Sequence, residues 1–338
     1  MTIQELLTKI SETPQQELKL FFVTRHLKEN VRKSSKVLDK YSFQVYHIDI
    51  NDEIREYLYN LTTEQLKSII QKNYEIMDYE VVADDIETLW TYSMKNKVLS
   101  FSDVVSNQLN KMLPVVKEFE DLYKNNQELW AYCIGFYDIN LKDWIYAFRK
   151  IQASKVAVDA EKNKKKNTFF RTYFNTANRK LEILKGTTVN LDKQIDCIYY
   201  ADMFYILRKF DFEQIVGLGE EYKQAAKDVV SLLEQTNLIT GTHLINTIIE
   251  NTPSIHRKLV RISKVCNIKA LSPKDIRNMQ KVSKKYGETL TIKDDKISIS
   301  NEKDVTVVLK MLADYYKVGE VFGRNYGTFA GKVLQQKV

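Results

Sequence analysis

The chain has 338 residues, 44% hydrophobic and 28% charged, with a formal net charge of +7. This is the composition of a folded protein long enough for two domains or one large one, and its four prolines and ten glycines argue against a long disordered tail or linker. Cys133, Cys197 and Cys266 are too scattered for a disulfide frame, and no apolar run nears the roughly 20 residues of a membrane span.

In chain order, residues 2–12 read as an amphipathic helix. Residues 18–23 and 43–49 read as neighbouring strands, with a basic loop over 28–40 between them. Asn51 caps a helix running to about residue 60, and Thr62 starts another. Residues 102–126 carry a helical pattern interrupted near Pro114. Residues 129–137 and 144–151 form an antiparallel strand pair. Residues 162–166 are a charged loop, and 167–178 are either a helix or an extended aromatic segment.

A β-meander follows, with strands at 187–191, 195–200 and 203–209 and a continuation at 210–213. Gly217 and Gly219 mark a tight strand-to-helix turn. Helices are expected at 220–234, at 242–251, from Ser254 to Cys266, from Ser272–Pro273, and from Asn301 or Glu302 to Tyr316, with a hairpin around Asp294 and Asp295. Gly319, Gly323, Gly327 and Gly331 recur every fourth residue, as a helix face or as a loop. The fold class is α+β, with an N-terminal α+β domain over 1–180 and a C-terminal domain of meander plus helices over 181–338. The start of the chain lacks a signal peptide pattern, so a cytoplasmic protein is expected, with any membrane recruitment through a partner.

Charge is segregated. Residues 46–93 hold eleven acidic and three basic groups, whereas 142–185 and 257–296 each hold twelve basic and four acidic. Basic faces of this kind point to a polyanion. In the middle block the candidates for DNA contact are Lys164, Lys165, Lys166, Arg171, Arg179 and Lys180. Arg257, Arg261 and Lys264 recur at i, i+4, i+7 on one helix, leaving Leu259, Ile262 and Val265 for the core. Arg277, Lys281 and Lys284, with Lys285, repeat that spacing on the next, leaving Ile276, Met279 and Val282. Such stripes reach successive phosphates with little sequence preference. Arg324 in the glycine-rich tail joins them. The acidic block serves either as a partner surface or as an internal competitor, and self-complementary charge favours a homodimer.

Catalytic signals are weak. The four histidines lack metal-ligand spacing, and no phosphate-binding glycine motif or nucleophile elbow is present. Glu221 and Lys223, with Asp211 upstream, spell part of a metal-dependent nuclease site, but i and i+2 diverge on a helix. Asp294, Asp295 and Lys296 repeat the spelling in a turn. No catalytic set, metal site or cofactor is assigned. A nuclease with a non-contiguous site and a protein-interaction scaffold stand as alternatives to DNA binding.

Leu184, Leu191, Ile195, Asp196, the stretch from Asp202 to Ile206, Phe212 and Glu213, then Leu309, Leu312, Asp314 and Tyr316, form a pattern that resembles the DUF4868 family. That family includes the cytosolic component, KwaB, of the two-gene Kiwa anti-phage system. The resemblance implies a DNA-binding effector acting with a membrane-embedded partner, KwaA, to limit phage DNA replication or expression. It brings no catalytic residues. Gly319, Phe322 and Gly323 depart from the family pattern, which expects Ser and Thr there.

Overall fold

Thr2 opens the first helix, α1 (Ile3–Glu12): its hydroxyl accepts from the Glu5 N–H while Glu5 reaches back to the Thr2 N–H. The computed structural model describes residues 1–28, 41–81, 88–95, 101–111, 113, 115–116, 122, 128–152, 156–157, 172–175, 179–183 and 188–329. The chain divides into two units, Met1–Asp78 with Glu87–Gly217, and Tyr79–Ile86 with Leu218–Val338.

The first unit is built on β1 (Lys19–Leu27), β2 (Tyr41–Ile48), α2 (Asp52–Lys72), β3 (Glu75–Asp78), β4 (Thr88–Ser93), β5 (Glu128–Asp138) and β6 (Asp143–Lys150). Four short strands follow: β7 (Val156–Ala157), β8 (Thr172–Asn175), β9 (Lys180–Ile183) and β10 (Thr188–Val189). β11 (Cys197–Tyr200), β12 (Met203–Ile206) and α3 (Lys209–Val216) complete it. Eight strands make one sheet in the order β2-β1-β5-β6-β11-β12-β4-β3, antiparallel except for β3 and β4. The α+β class holds. The segment 197–206, read as part of a C-terminal meander, extends this sheet through pairing of β11 with β6.

Side chains alternate across the pleat. Ile134, Phe136, Ala147 and Ile198 meet Leu6 and Ile10 of α1 and Leu58 and Leu66 of α2 in one buried cluster. An aromatic layer fills the unit as well: Phe148 meets Phe101 and Phe204, and Phe204 meets Phe212 of α3, each ring pair 5.3–6.1 Å apart. All four of these phenylalanines are fully buried, so their rings are spent on core packing.

Three local readings are corrected here. First, α2 is one 21-residue helix rather than two. The Thr62 and Thr63 hydroxyls donate to the Leu58 and Tyr59 carbonyls four residues back, so they bond inside the helix instead of capping a new one. Second, 210–213 is helical: Phe212, Ile215 and Val216 bury one face of α3, and Gly217 closes it at φ +81°. Gly217 thus ends a helix and does not form a strand-to-helix turn. Third, the strand expected at 187–191 does not join the meander; its described pairing is β10 with β7. In the aromatic segment left open, Thr172–Asn175 is extended and pairs with β9. Of the helical pattern over 102–126, the described part includes the π-helical turn Val104–Gln108; Pro114 lies outside the described residues.

The second unit contains α4 (Leu218–Gln235), β13 (Ile239–Thr240), α5 (His243–Asn251), α6 (Pro253–Val265), α7 (Pro273–Lys285), β14 (Ile292–Lys293), β15 (Lys296–Ser298), α8 (Glu302–Leu312), β16 (Tyr316–Val318) and β17 (Asn325–Gly327). Its core joins Val230 and Leu233 of α4, Ile245 and Ile249 of α5, Leu259 and Ile262 of α6, Ile276 of α7 and Val308 of α8. Pro273 takes the first helical position of α7 behind a Ser272–Asp275 capping box, as its sequence foretells. α6 instead begins at Pro253, with Thr252 rather than Ser254 at the cap.

α8 ends at Leu312, four residues before the expected end, and Asp314 turns the chain at φ +50° into β16. β16 and β17 then pair antiparallel, so Gly319, Gly323 and Gly327 belong to a hairpin, not to a helix. Gly331 lies outside the described residues. Gly327 packs under Tyr315, where an added Cβ would lie 2.5 Å from the ring.

Gly241, between β13 and α5, sits at φ +80°, and an added Cβ would meet the Ile299 carbonyl oxygen at 2.1 Å. Gly241→Ala is therefore expected to destabilise the second unit by about 1–3 kcal/mol, read as a lower urea midpoint in far-ultraviolet circular dichroism.

Candidate nucleic-acid interface and a buried charge network

The basic residues singled out in the sequence fall into three groups. Lys164, Lys165, Lys166 and Arg171 lie outside the described residues. Arg179 and Lys180 are exposed at the turn between β8 and β9, Arg179 at φ +54°. The rest belong to the second unit, where α6 and α7 differ sharply.

On α6 the stripe is largely used up internally. Arg261 is only 4% exposed and lies 3.7 Å from Glu80, and Lys264 approaches the other Glu80 oxygen at 3.4 Å. Arg257 is half-buried and also has a partner. A buried guanidinium engaged by a carboxylate does not face solvent, so Arg261 is withdrawn from the exposed stripe that its spacing suggests. Glu80, one residue of the acidic block 46–93, belongs to the same unit as α6 and takes up two of its cations. Leu259 and Ile262 are fully buried, as the spacing requires, and Val265 is half-buried.

On α7 the stripe stays outward. Arg277, Lys281, Lys284 and Lys285 are all exposed. Arg277 has an exposed approach to Asp295 at 3.7 Å, a geometry worth little in water. Asp275, the helix's own carboxylate, is tied to the Ser272 N–H and hydroxyl. Ile276 is buried, but Val282 is 37% exposed and so is not the core residue its spacing suggests. It lines an open cleft of about 300 Å³ beside α8, with Met279, Tyr286 and Tyr315. Tyr286 stacks on Tyr316 at 4.1 Å between ring centres, and the Tyr316 hydroxyl donates to Glu288. Arg324 is exposed beyond this cleft, 5.9 Å over the Phe322 ring.

The first unit holds a charge network that spacing does not reveal. Arg149 and Lys150 end β6, yet both are buried. Arg149 donates to Asp196 at 2.5 Å and to Asp192 at 2.7 Å, and reaches Asp211 at 3.4 Å. Arg208 donates to Asp211 at 2.8 Å. Asp196 is fully buried and also accepts from the Lys150 backbone N–H at 2.6 Å. Its own carbonyl accepts from the N–H groups of Leu207 and Arg208, and its N–H donates to Phe148.

One residue thus fastens β6, the entry to β11 and the start of α3. Burial pushes the Asp196 carboxyl up to about 6, against the Lys150 N–H and Arg149, which favour its charged form. Burial also lowers the Lys150 ammonium to about 8. That ammonium donates to the Ile151 carbonyl and lies 3.7 Å from the centre of Trp130, whose ring Arg25 also approaches at 3.3 Å.

The three aspartates converge on a guanidinium. Among the described residues, no group of three or more His, Cys, Asp or Glu is placed to hold a metal ion. The fragments that spell a nuclease are engaged elsewhere: Lys223 pairs with Glu250 at 2.5 Å, and Asp294 and Asp295, both at positive φ, form the turn between β14 and β15. Two of the four histidines hold structural contacts, His256 with the Ile249 carbonyl and His26 with Ser42.

The family described as Kiwa protein KwaB-like matches residues 126–321, more than half of the chain. The chain belongs to the KwaB-like family. The match spans both the Asp196 network and α7. No curated protein and no solved structure matches the chain. KwaB-like membership implies a component of Kiwa anti-phage defence. Within this KwaB-like chain, no described helix is long and apolar enough to cross a membrane.

Proposed function

We propose that this KwaB-like protein is a cytosolic, DNA-binding effector of anti-phage defence. In this reading it acts with a membrane-embedded partner of the KwaA type to block phage DNA replication or expression, and it works as a homodimer. The observation that carries DNA binding is α7, with Arg277, Lys281, Lys284 and Lys285 exposed on one helix whose acidic residue is held in its cap.

Cations at this spacing reach successive phosphates and release condensed counterions, with no reading of base sequence. A gel-shift series should therefore give binding that weakens steeply as salt rises, at a slope of roughly −0.9 per phosphate contacted, and equally for unrelated sequences. An absence of binding at low salt would overturn the reading. Family membership supports the defence setting and the partner. Sedimentation at low and high salt tests the dimer, which predicts twice the chain mass at low salt.

A further inference from the structure

We propose that the cleft between α7 and α8 seats an unpaired base of a single-stranded nucleic acid, while the lysines of α7 hold the flanking phosphates. This rests on the nucleic-acid reading above and names the form of strand that it takes.

The cleft, about 300 Å³, lies at the small end of ligand-sized pockets and suits one flat heterocycle. Met279, Val282, Tyr286 and Tyr315 give it an apolar and aromatic side, and the rest of its lining is largely charged or polar. The tyrosines are held in place: the Tyr286 hydroxyl donates to Asn325 at 2.9 Å, its ring stacks on Tyr316, and Tyr315 packs against Phe329 at 4.8 Å. Fixed aromatic surfaces of this kind take bases by stacking, whatever their identity.

Two of the four charged groups that line it are spent on the protein itself, since Lys310 pairs with Glu288 and Asp275 caps α7. Among the described residues, the Asn278 amide and the exposed Asp314 carboxylate have no side-chain partner at the cleft, and such groups suit the amino and ring-nitrogen edges of a base. A phosphate would be repelled by Asp314. Phosphates instead find Lys285 at the cleft wall, with Lys281 one turn away and Lys284 beside it. Bases paired within a duplex cannot enter such a cleft, so the site selects single strands.

The test uses the full chain and three labelled twelve-residue strands: oligo-dC, oligo-rC and a fully abasic DNA of the same length. Fluorescence anisotropy at fixed salt should show oligo-dC or oligo-rC binding at least about tenfold more tightly than the abasic strand. The comparison of dC with rC assigns the cleft to DNA or RNA. A strand carrying 5-iodocytosine, irradiated in the complex, should crosslink to Tyr286 or Tyr315 by peptide mapping. Equal affinity for the abasic strand, or crosslinks mapping only elsewhere, overturns the cleft assignment and leaves phosphate binding standing. No binding by any strand overturns both.

Discussion

Asp196→Ala is expected to destabilise the first unit by about 3–5 kcal/mol at neutral pH. The side chain is fully buried, and its removal strips a partner from the Arg149 guanidinium and leaves the Lys150 N–H unpaired inside the protein. Trp90, Trp130 and Trp144 all belong to this unit, so urea unfolding followed by tryptophan fluorescence reports on it directly. A loss under 1 kcal/mol would show that the network does not hold β6, β11 and α3 together.

The pH dependence has a definite sign. The folded carboxyl, at about 6, lies above the ordinary aspartate value, so between about pH 4 and 6 the unfolded chain releases a proton that the folded chain keeps. Wild-type stability relative to Asp196→Asn should therefore fall as pH rises through that window.

Reversing Arg277, Lys281, Lys284 and Lys285 to Glu is expected to abolish most nucleic-acid affinity and to flatten the salt dependence by about three to four slope units. All four side chains are exposed, so circular dichroism should show the fold retained. The loss should be uniform across sequences, because phosphate contacts carry no base information. Arg261→Met provides the contrast. That residue is buried against Glu80, so its replacement should lower stability and leave the salt slope unchanged. A slope that falls equally in both variants would remove α7 from its special place.

Both expectations turn on what is legible in sequence. Elements with strong local signals were readable: the helix over 2–12, the Ser272 and Pro273 start of α7, the antiparallel pair β5 and β6, and the turn at Asp294 and Asp295. The basic spacing on α6 and α7 was equally readable, but spacing places charges on a helix face without saying what faces them. Glu80 is 184 positions away from Lys264, and only folding brings it there. The Asp196 network was hidden for the same reason. Asp196 reads as one position of the family-like pattern and Asp211 as part of a nuclease spelling, and nothing local joins them to Arg149 until the sheet order sets β6 beside β11. The glycine period at 319–331 matched a helix in number, yet Asp314 at positive φ redirects the chain into a hairpin.

Composition, local periodicity and a family-like apolar pattern by themselves determined the α+β class, most helix positions, the charge segregation and the resemblance to a defence family. These depend on neighbours within a few residues, where caps, turns and amphipathic spacing act. Only the tertiary structure decided which cations face water, that a buried aspartate ties three elements together, and that Val282 and the tyrosines enclose a cleft. Those outcomes depend on burial and on pairing between distant segments, and the cost of an unpaired buried charge is set by the whole fold rather than by local sequence.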